Sequence, residues 1–525
     1  GSTEKRSKYC KHYVLRHFCV IIVKGKLRFC QKILAHGETE MLKKPDNKAQ
    51  ISFFTNFFAC NRELDPSNRW VTLSKLVPWA EIEEKYKKLF ADIGAPGKAI
   101  RIAVGSLIIK ERLGLTDDET RDQITENPYL QYFLGYEQYT TQPPFDQSSL
   151  TRFRKRFTTE IMNDINEMIC QGSPDESSNK KDDNDPPGSS NTGGDTDDTQ
   201  SRPLENKGTL ILDATCVPAD IHYPTDVTLL NDARELTEQI IDKLHQPLVG
   251  MQKKPRDYRQ KARKQFLAFI RKKKPGKKDI RRTLRQQLGY VGRNLKTIGK
   301  LAEVSDLGLL PRTLYQKLLV IHELYRQQRY MYINKVHKID DRIVSIHQPH
   351  IRPIVRGKAN AAVEFGAKIS ISVVNGMTYL DTLSFNNYAE SKYLEQSVMA
   401  YKNRFGHFPE TILVDQIYRN RDNRAFCKMN GIRINGPRLG RPPVNSSPEE
   451  KMENRIDEGM RNQVEGKFGE AKRRFGLQRL LTRLPETSGC LIAVNCIVMN
   501  LEQLLRNFFY SFFNVRILIQ FICVE

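Results

Sequence analysis

Residues 209–217, TLILDATCV, place an acid, Asp213, inside an apolar run of strand length, and residues 410–418, ETILVDQIY, do the same around Asp415. A carboxylate in such a run is costly unless it has a partner. A third acid, Glu465, lies in RNQVEGKFGEAKRR, 461–474, which has a strongly helical pattern. Two strand acids and one helix acid point to a metal site. Hard divalent ions such as Mg²⁺ take oxygen ligands, and two of them about 4 Å apart can clamp the attacking and leaving oxygens of a phosphodiester. Each acid alone has a plainer reading: Asp415 as the cap of a following helix, Asp213 as a buried ion-pair partner, Glu465 as a solvated helical charge. The metal reading rests on the three together.

The neighbours of Glu465 favour it. Arg461, Glu465 and Lys472 are four and seven residues apart, and at 3.6 residues per turn they fall within about 40° on one helix face. An acid between two cations suits a substrate whose scissile phosphate meets metal and whose flanking phosphates need positive partners. The same spacing is also ordinary i,i+4 pairing.

These residues resemble the DDE transposases of bacterial insertion sequences, many of which carry a Tyr-x2-Arg-x3-Glu-x6-Lys signature. Arg461, Glu465 and Lys472 match it, and Glu458 stands at the Tyr position. HQPHIRPIVRGKANAAVEFGAKISISVVNG (347–376), RFGHFPETILVDQIYRNRDNRAFCKMNGIRINGPRLGRPP (404–443) and VEGKFGEAKRRFGLQRLLTRLPETS (464–488) are also similar to that family, and the resemblance covers roughly residues 50 to 505. It implies an α/β (α+β) multi-domain chain: a ribonuclease H-like catalytic core with a mixed β-sheet, a basic helical insertion and an all-α N-terminal domain. It further implies that Asp213, Asp415 and Glu465 are catalytic and bind two Mg²⁺ ions, or Mn²⁺, to cut transposon ends and join them to target DNA.

The coarse pattern agrees with that order. After the strand at 209–217, two strands within 363–386 meet at Asn375-Gly376, a dipeptide suited to a type I′ hairpin. A helix from about 388 to 404 ends near Gly406, the strand of Asp415 follows, then a helix over about 420–430, the strand GIRINGPR, and a long helix from near Pro448. The order is βββαβαβα.

Residues 230 to 340 interrupt it and read as helical throughout. Between 251 and 300 there are 19 Lys or Arg against two Asp. Such a face neutralises phosphates and releases counterions, giving tight, salt-dependent, sequence-indifferent binding, although a charge run is often just a solvated face. Lys272, Lys273, Lys274, Lys277 and Lys278 are its expected contacts, with Lys467, Arg473, Arg356 and Lys358 nearer the acids. A formal charge of +23 over 525 residues likewise suggests a polyanion.

Residues 50–170 read as a separate helical domain, which the resemblance makes the reader of terminal inverted repeats. Arg152, Arg154, Lys155 and Arg156 are its candidate contacts. Residues 171–207 are acidic and almost free of apolar side chains, a linker that lets two domains take different poses. The catalytic domain spans 208–505. Residues 1–49 read as a cloning scar followed by a poorly structured basic extension, with Met41 a candidate natural start, and 506–525 as an apolar tail that packs rather than anchors.

Ten cysteines without a CxxC pair indicate free thiols, and Cys216 reads as a buried strand residue. His347 and His350 either shape a channel or are structural. There is no P-loop or dinucleotide fingerprint, so no nucleotide cofactor is expected. The partners implied are double-stranded DNA, both terminal repeats and target, and further copies of the chain as a homodimer or higher multimer. No membrane is expected, and the location is cytoplasmic. A nuclease that cuts without joining, and a non-catalytic DNA-binding relic, remain the alternatives.

Overall fold

Apolar periodicity becomes sheet and helix in a computed structural model that describes residues 12–15, 18–23, 26–29, 64–87, 99–171, 205–358, 361–436 and 448–522. The linker at 172–204 lies outside the described residues. The N-terminal unit, read above as poorly structured, holds three antiparallel strands: β1 (His12–Leu15), β2 (Phe18–Val23) and β3 (Lys26–Phe29).

The larger unit begins with helices α1 (Arg69–Leu76), α2 (Trp79–Tyr86), α3 (Ile100–Leu113), α4 (Asp117–Glu126), α5 (Pro128–Phe133), α6 (Ser149–Arg156) and α7 (Thr159–Gln171). Local chemistry sets their ends. The Asn68 side chain accepts from the Trp70 amide, a reciprocal capping box joins Thr116 and Glu119, and Gly114 takes the left-handed φ of 68° that closes α3. Trp70 and Trp79 stack edge-on against Phe133 at the centre of this bundle.

Next comes β4 (Thr209–Pro218), then the helical insertion of α8 (Asp226–His245), α9 (Arg259–Ile270), α10 (Lys277–Ala302) and α11 (Arg312–Asn334), in which α8, α10 and α11 enclose an apolar core of their own and α9 packs on α8 and α10. The chain returns through β5 (Arg352–Lys358), β6 (Ala361–Val374) and β7 (Met377–Ser384). It ends through α12 (Leu394–Phe405), β8 (Thr411–Leu413), α13 (Arg421–Met429), β9 (Arg433–Ile434), α14 (Pro448–Arg474) and α15 (Pro485–Ile522). Asn375 and Gly376 both have positive φ, 50° and 78°, as the expected hairpin turn requires.

The main sheet has six strands in the order β5-β6-β4-β8-β9, with β7 also on β6. β6 is long enough to pair β5 along its first half and β7 along its second, antiparallel to both and to β4. β8 runs parallel to β4, and β9 parallel to β8. β5 was not anticipated, because Pro353 and Gly357 interrupt its sequence. The chain is thus a helix-rich α/β protein with a mixed sheet.

The helical region does not stand apart, as the flexible linker had suggested. One apolar core runs from Trp70 and Phe133 through the sheet residues Leu212 and Ile371 to Ile497 and Leu501 of α15. α15 packs against α1, α3, α6, α7 and β7 together. On β7, the Asn500 amide accepts from the Thr378 N–H at 2.7 Å and donates to its carbonyl at 2.8 Å, so a side chain completes the backbone pairing. Asn166 of α7 donates to the same carbonyl at 3.0 Å. Arg112 of α3 meets Glu502 at 2.6 Å, and Arg404 of α12 meets Glu167 of α7 at 2.6 Å.

The segment Pro485–Tyr510 is long and apolar enough to cross a membrane, but 89% of its most apolar window is buried inside the protein. It is the core helix of this fold. The side chains of 511–525, which include most of the expected packed tail, lie outside the described residues.

Candidate active site

The register of β4 and β8 brings the first two acids together. Thr209, Leu210 and Ile211 lie opposite Thr411, Ile412 and Leu413 in parallel, and two residues further along the same register stand Asp213 and Asp415. Adjacent parallel strands lie about 4.8 Å apart, and directly opposite residues point to one face. β8 itself ends at Leu413. Asp415 therefore sits just past the strand, where its side chain accepts from the Gln416 amide at 2.7 Å and caps the turn Gln416–Tyr418. Capping and site membership coexist in one residue.

Asp213 is half-buried and accepts from the Ala214 amide at 2.7 Å. Burial pushes its carboxyl up to about 6, and the negative charges of Glu390 and Asp415 add to that, against the Ala214 hydrogen bond and the positive Arg461. These interactions locate the neighbours: Asp213, Asp415, Glu390 and Arg461 share one electrostatic environment although they are far apart in sequence.

Helix α14 supplies the fourth side. Its buried Asp457 forms a two-pronged ion pair with Arg433 of β9 at 2.8 Å, which fixes the helix to the sheet edge. Arg461 and Glu465 are 3.6 Å apart on one face, with Glu465 the more exposed. Lys472 donates to the Thr215 hydroxyl at 2.9 Å. Thr215 lies two residues beyond Asp213 and so on the same face of β4. The Arg461–Glu465–Lys472 face is thus laid toward the Asp213 face of the sheet.

Three residues at this site carried no signal strong enough to be singled out. Glu390, in NNYAESKY, precedes α12 and pairs with Lys368 of β6 at 2.9 Å. Lys368 also donates to the Tyr388 carbonyl at 2.8 Å. Arg419, four residues past Asp415, is held below its usual arginine range by burial and by Arg424 and Arg461, with Asp415 opposing. Only tertiary structure places them beside the acids. Among the described residues no three acids, histidines or cysteines stand close enough together to hold a metal ion.

The expected DNA contacts divide. Lys272, Lys273, Lys274, Lys277 and Lys278 are exposed at the turn between α9 and α10, with Lys272 also bound to Asp279 at 2.7 Å. Arg152, Lys155, Arg156 and Arg473 are exposed on α6 and α14. Arg154 turns inward instead, to a two-pronged pair with Asp117 at 2.9 and 2.6 Å. Lys467 is buried against α15, where its ammonium donates to Gln503 at 3.3 Å and burial lowers its pKa. Both face protein because a polar partner on a neighbouring helix holds them. The side chains of Arg356 and Lys358 lie outside the described residues.

His350 stacks edge-on against Phe385 at 4.6 Å, and burial holds it below its usual range. His347 borders a cleft of about 600 Å³ with Asp220 and Arg483. Cys216 is fully buried.

The raised carboxyl of Asp213 has a measurable consequence. Its folded-state pKa of about 6 exceeds the ordinary 3.8, so its contribution to stability is fully present below about 3.8 and is lost as pH rises through about 6. Asp213→Asn removes that loss. In metal-free protein at about pH 8, chemical denaturation should show the variant more stable by up to about 3 kcal/mol, with no gain at about pH 3.5. Equal stability at both pH values would contradict the burial of the Asp213 carboxyl beside other acids.

Two families match the chain. Residues 412–502, which include Asp415 and Glu465, match the family described as transposase DDE domain, and residues 58–156 match the transposase domain DUF772. A curated relative from Rhizobium meliloti, described as uncharacterized protein ORF8 in nfe locus, is 31% identical over 102 residues, 19% of this chain and 49% of the relative. The chain thus spans about half the length of that protein. No solved structure matches it significantly. Over residues 58–156 and 412–502, the latter holding two of the three acids, the chain thus resembles the DDE transposases.

Proposed function

We propose that this chain is an active transposase that cuts the ends of its own element and joins them to target DNA. The observation that carries the reading is the strand register that sets Asp213 beside Asp415, with the Arg461–Glu465–Lys472 helix face tied to the same strand through Lys472 and Thr215. The sheet order supports a ribonuclease H-like core: β7-β6-β4-β8-β9, with the first three strands antiparallel and β8 and β9 parallel to β4.

The donor set fits hard divalent cations, Mg²⁺ or Mn²⁺. It is all carboxylate oxygen, and Asp213 binds its proton more tightly chiefly because it is buried, with Glu390 and Asp415 adding negative charge nearby. Asp213 and Asp415 would hold such ions, and Glu465, which stands outside any three-acid cluster with them among the described residues, would join them on moving closer. When bound, they polarise the phosphodiester and lower the pKa of water.

The chain's own residues do the rest. Arg461 and Lys472, on either side of Glu465, offer cations to the phosphates flanking the cut, and Lys472 is steadied by Thr215. In the first reaction water displaces the 3′-oxygen at the element's end. In the second the freed 3′-hydroxyl displaces a 3′-oxygen of target DNA. The basic insertion holds the duplex, the helical region reads the terminal repeats, and a multimer brings two ends together where cytoplasmic DNA is accessible.

The test is Mg²⁺-dependent reaction of a duplex carrying the element's own ends. Joined products establish the reading. Cleavage without joining assigns a nuclease, and binding alone assigns a DNA-binding relic.

The lysine turn makes a separate prediction. Replacing Lys272, Lys273, Lys274, Lys277 and Lys278 together by alanine should weaken non-specific DNA binding. It should also flatten the slope of log K against log salt by up to about 4, since each lost phosphate contact removes about 0.9. Lys272 contributes least, being tied to Asp279. An unchanged slope, read by fluorescence anisotropy, removes this turn from the DNA path.

A further inference from the structure

Helix α11 buries Leu314, Leu318, Ile321, Leu324 and Met331 in the insertion's core. Its opposite face is unusual for a solvated helix. Tyr315, Leu319, Tyr330 and Ile333 are 39%, 56%, 51% and 60% exposed. At 100° per residue these four fall within about 60° of one another, forming a stripe about 27 Å long. Beside it runs a groove of about 840 Å³ between α10 and α11, bordered by Gly292 and Lys296. Four large apolar side chains in one row mark an interaction site.

The order along the stripe identifies the occupant. Two apolar residues (Tyr315, Leu319) lead, two charged residues (Glu323, Arg326) sit in the middle, and two apolar residues (Tyr330, Ile333) follow. The row is therefore self-complementary about its midpoint. A second α11 laid antiparallel sets Tyr315 against Ile333, Leu319 against Tyr330 and Glu323 against Arg326, each from opposite copies. Within one copy Glu323 and Arg326 are already paired at 2.7 Å and solvent-exposed, so a second copy closes a ring of alternating charge. A two-fold interface demands this property, because one patch must complement itself.

We infer that two copies of this chain associate through α11, antiparallel and centred between Glu323 and Arg326. DNA is the competing occupant, given Lys296 and Arg329 at the groove. Phosphates, however, gain nothing from exposed Leu319 and Ile333. The inference supplies a surface for the multimer of the proposed transposase, yet it stands on α11 alone, and its deciding measurement, the mass of the chain, uses neither DNA nor metal.

Analytical ultracentrifugation of the full chain should show a concentration-dependent dimer. Leu319→Glu and Ile333→Glu should each raise its dissociation constant at least about tenfold, as expected for central apolar anchors. Both sites are exposed, and circular dichroism checks that folding is kept. Glu323→Arg should weaken the dimer, and Glu323→Arg with Arg326→Glu should restore it. Tyr315→Cys protein should form a disulfide with Ile333→Cys protein when the two are mixed, and neither should do so alone. A monomer at every concentration overturns the inference, as does a dimer indifferent to all these changes. Unchanged mass with weakened DNA binding in Leu319→Glu assigns the stripe to DNA instead.

Discussion

Replacing Asp213, Asp415 or Glu465 by alanine, one at a time, is expected to lower cleavage and joining at least about 1,000-fold, roughly 4 kcal/mol of transition-state stabilisation. The three act as a unit, so the double variants should be scarcely worse than the singles. DNA binding should persist, because the basic turn at Lys272–Lys278 is untouched and the loss of an acid only raises the positive charge. Glu390 makes this experiment sharper. It lies near enough to Asp213 to raise its carboxyl, whereas Glu465 is exposed and paired with Arg461. Activity that survives Glu465→Ala and disappears in Glu390→Ala would transfer the third carboxylate role to Glu390 and defeat the assignment made from the helix signature.

Ile497→Ala should be the most damaging single change outside the site. Ile497 is fully buried on α15, in the core that joins the helical region to the sheet. Removing its methylenes leaves a cavity that close-packed neighbours fill poorly, at a cost of about 2–5 kcal/mol. Trp70 and Trp79, the chain's two tryptophans, report on the helical region, and circular dichroism reports on the whole. In a urea titration both signals should shift together toward lower concentration. If tryptophan fluorescence keeps its midpoint while circular dichroism shifts, the helical region folds by itself and the shared core is of little energetic consequence.

Much of the site was legible in the sequence because its elements have local signatures. Asp213 stands out as an acid in a strand, Asn375-Gly376 as a hairpin turn, and Arg461, Glu465 and Lys472 as one helix face. The two assignments that went astray concern cations. Lys467 and Arg154 were chosen for charge and for neighbours in sequence, but whether a cation meets solvent depends on what packs above it. Gln503 of α15 and Asp117 of α4 lie 36 and 37 residues away along the chain. Glu390 was invisible for the converse reason: one acid among many before a helix acquires meaning only when the sheet folds it against Asp213. The joint core escaped notice because a linker without apolar residues says nothing about whether the parts on either side touch.

That joint core also has a consequence for the timing of synthesis. Helices α1 to α7 emerge from the ribosome early, yet the face they present to α15 stays uncovered until the last helix of the described chain has been made. At translation rates of about 5–20 residues per second, that interval lasts tens of seconds. During it the helical region is a partly formed body with exposed apolar surface. The helical region and the sheet therefore mature together, late in translation, so a prematurely terminated chain lacking α15 would leave both halves unfinished.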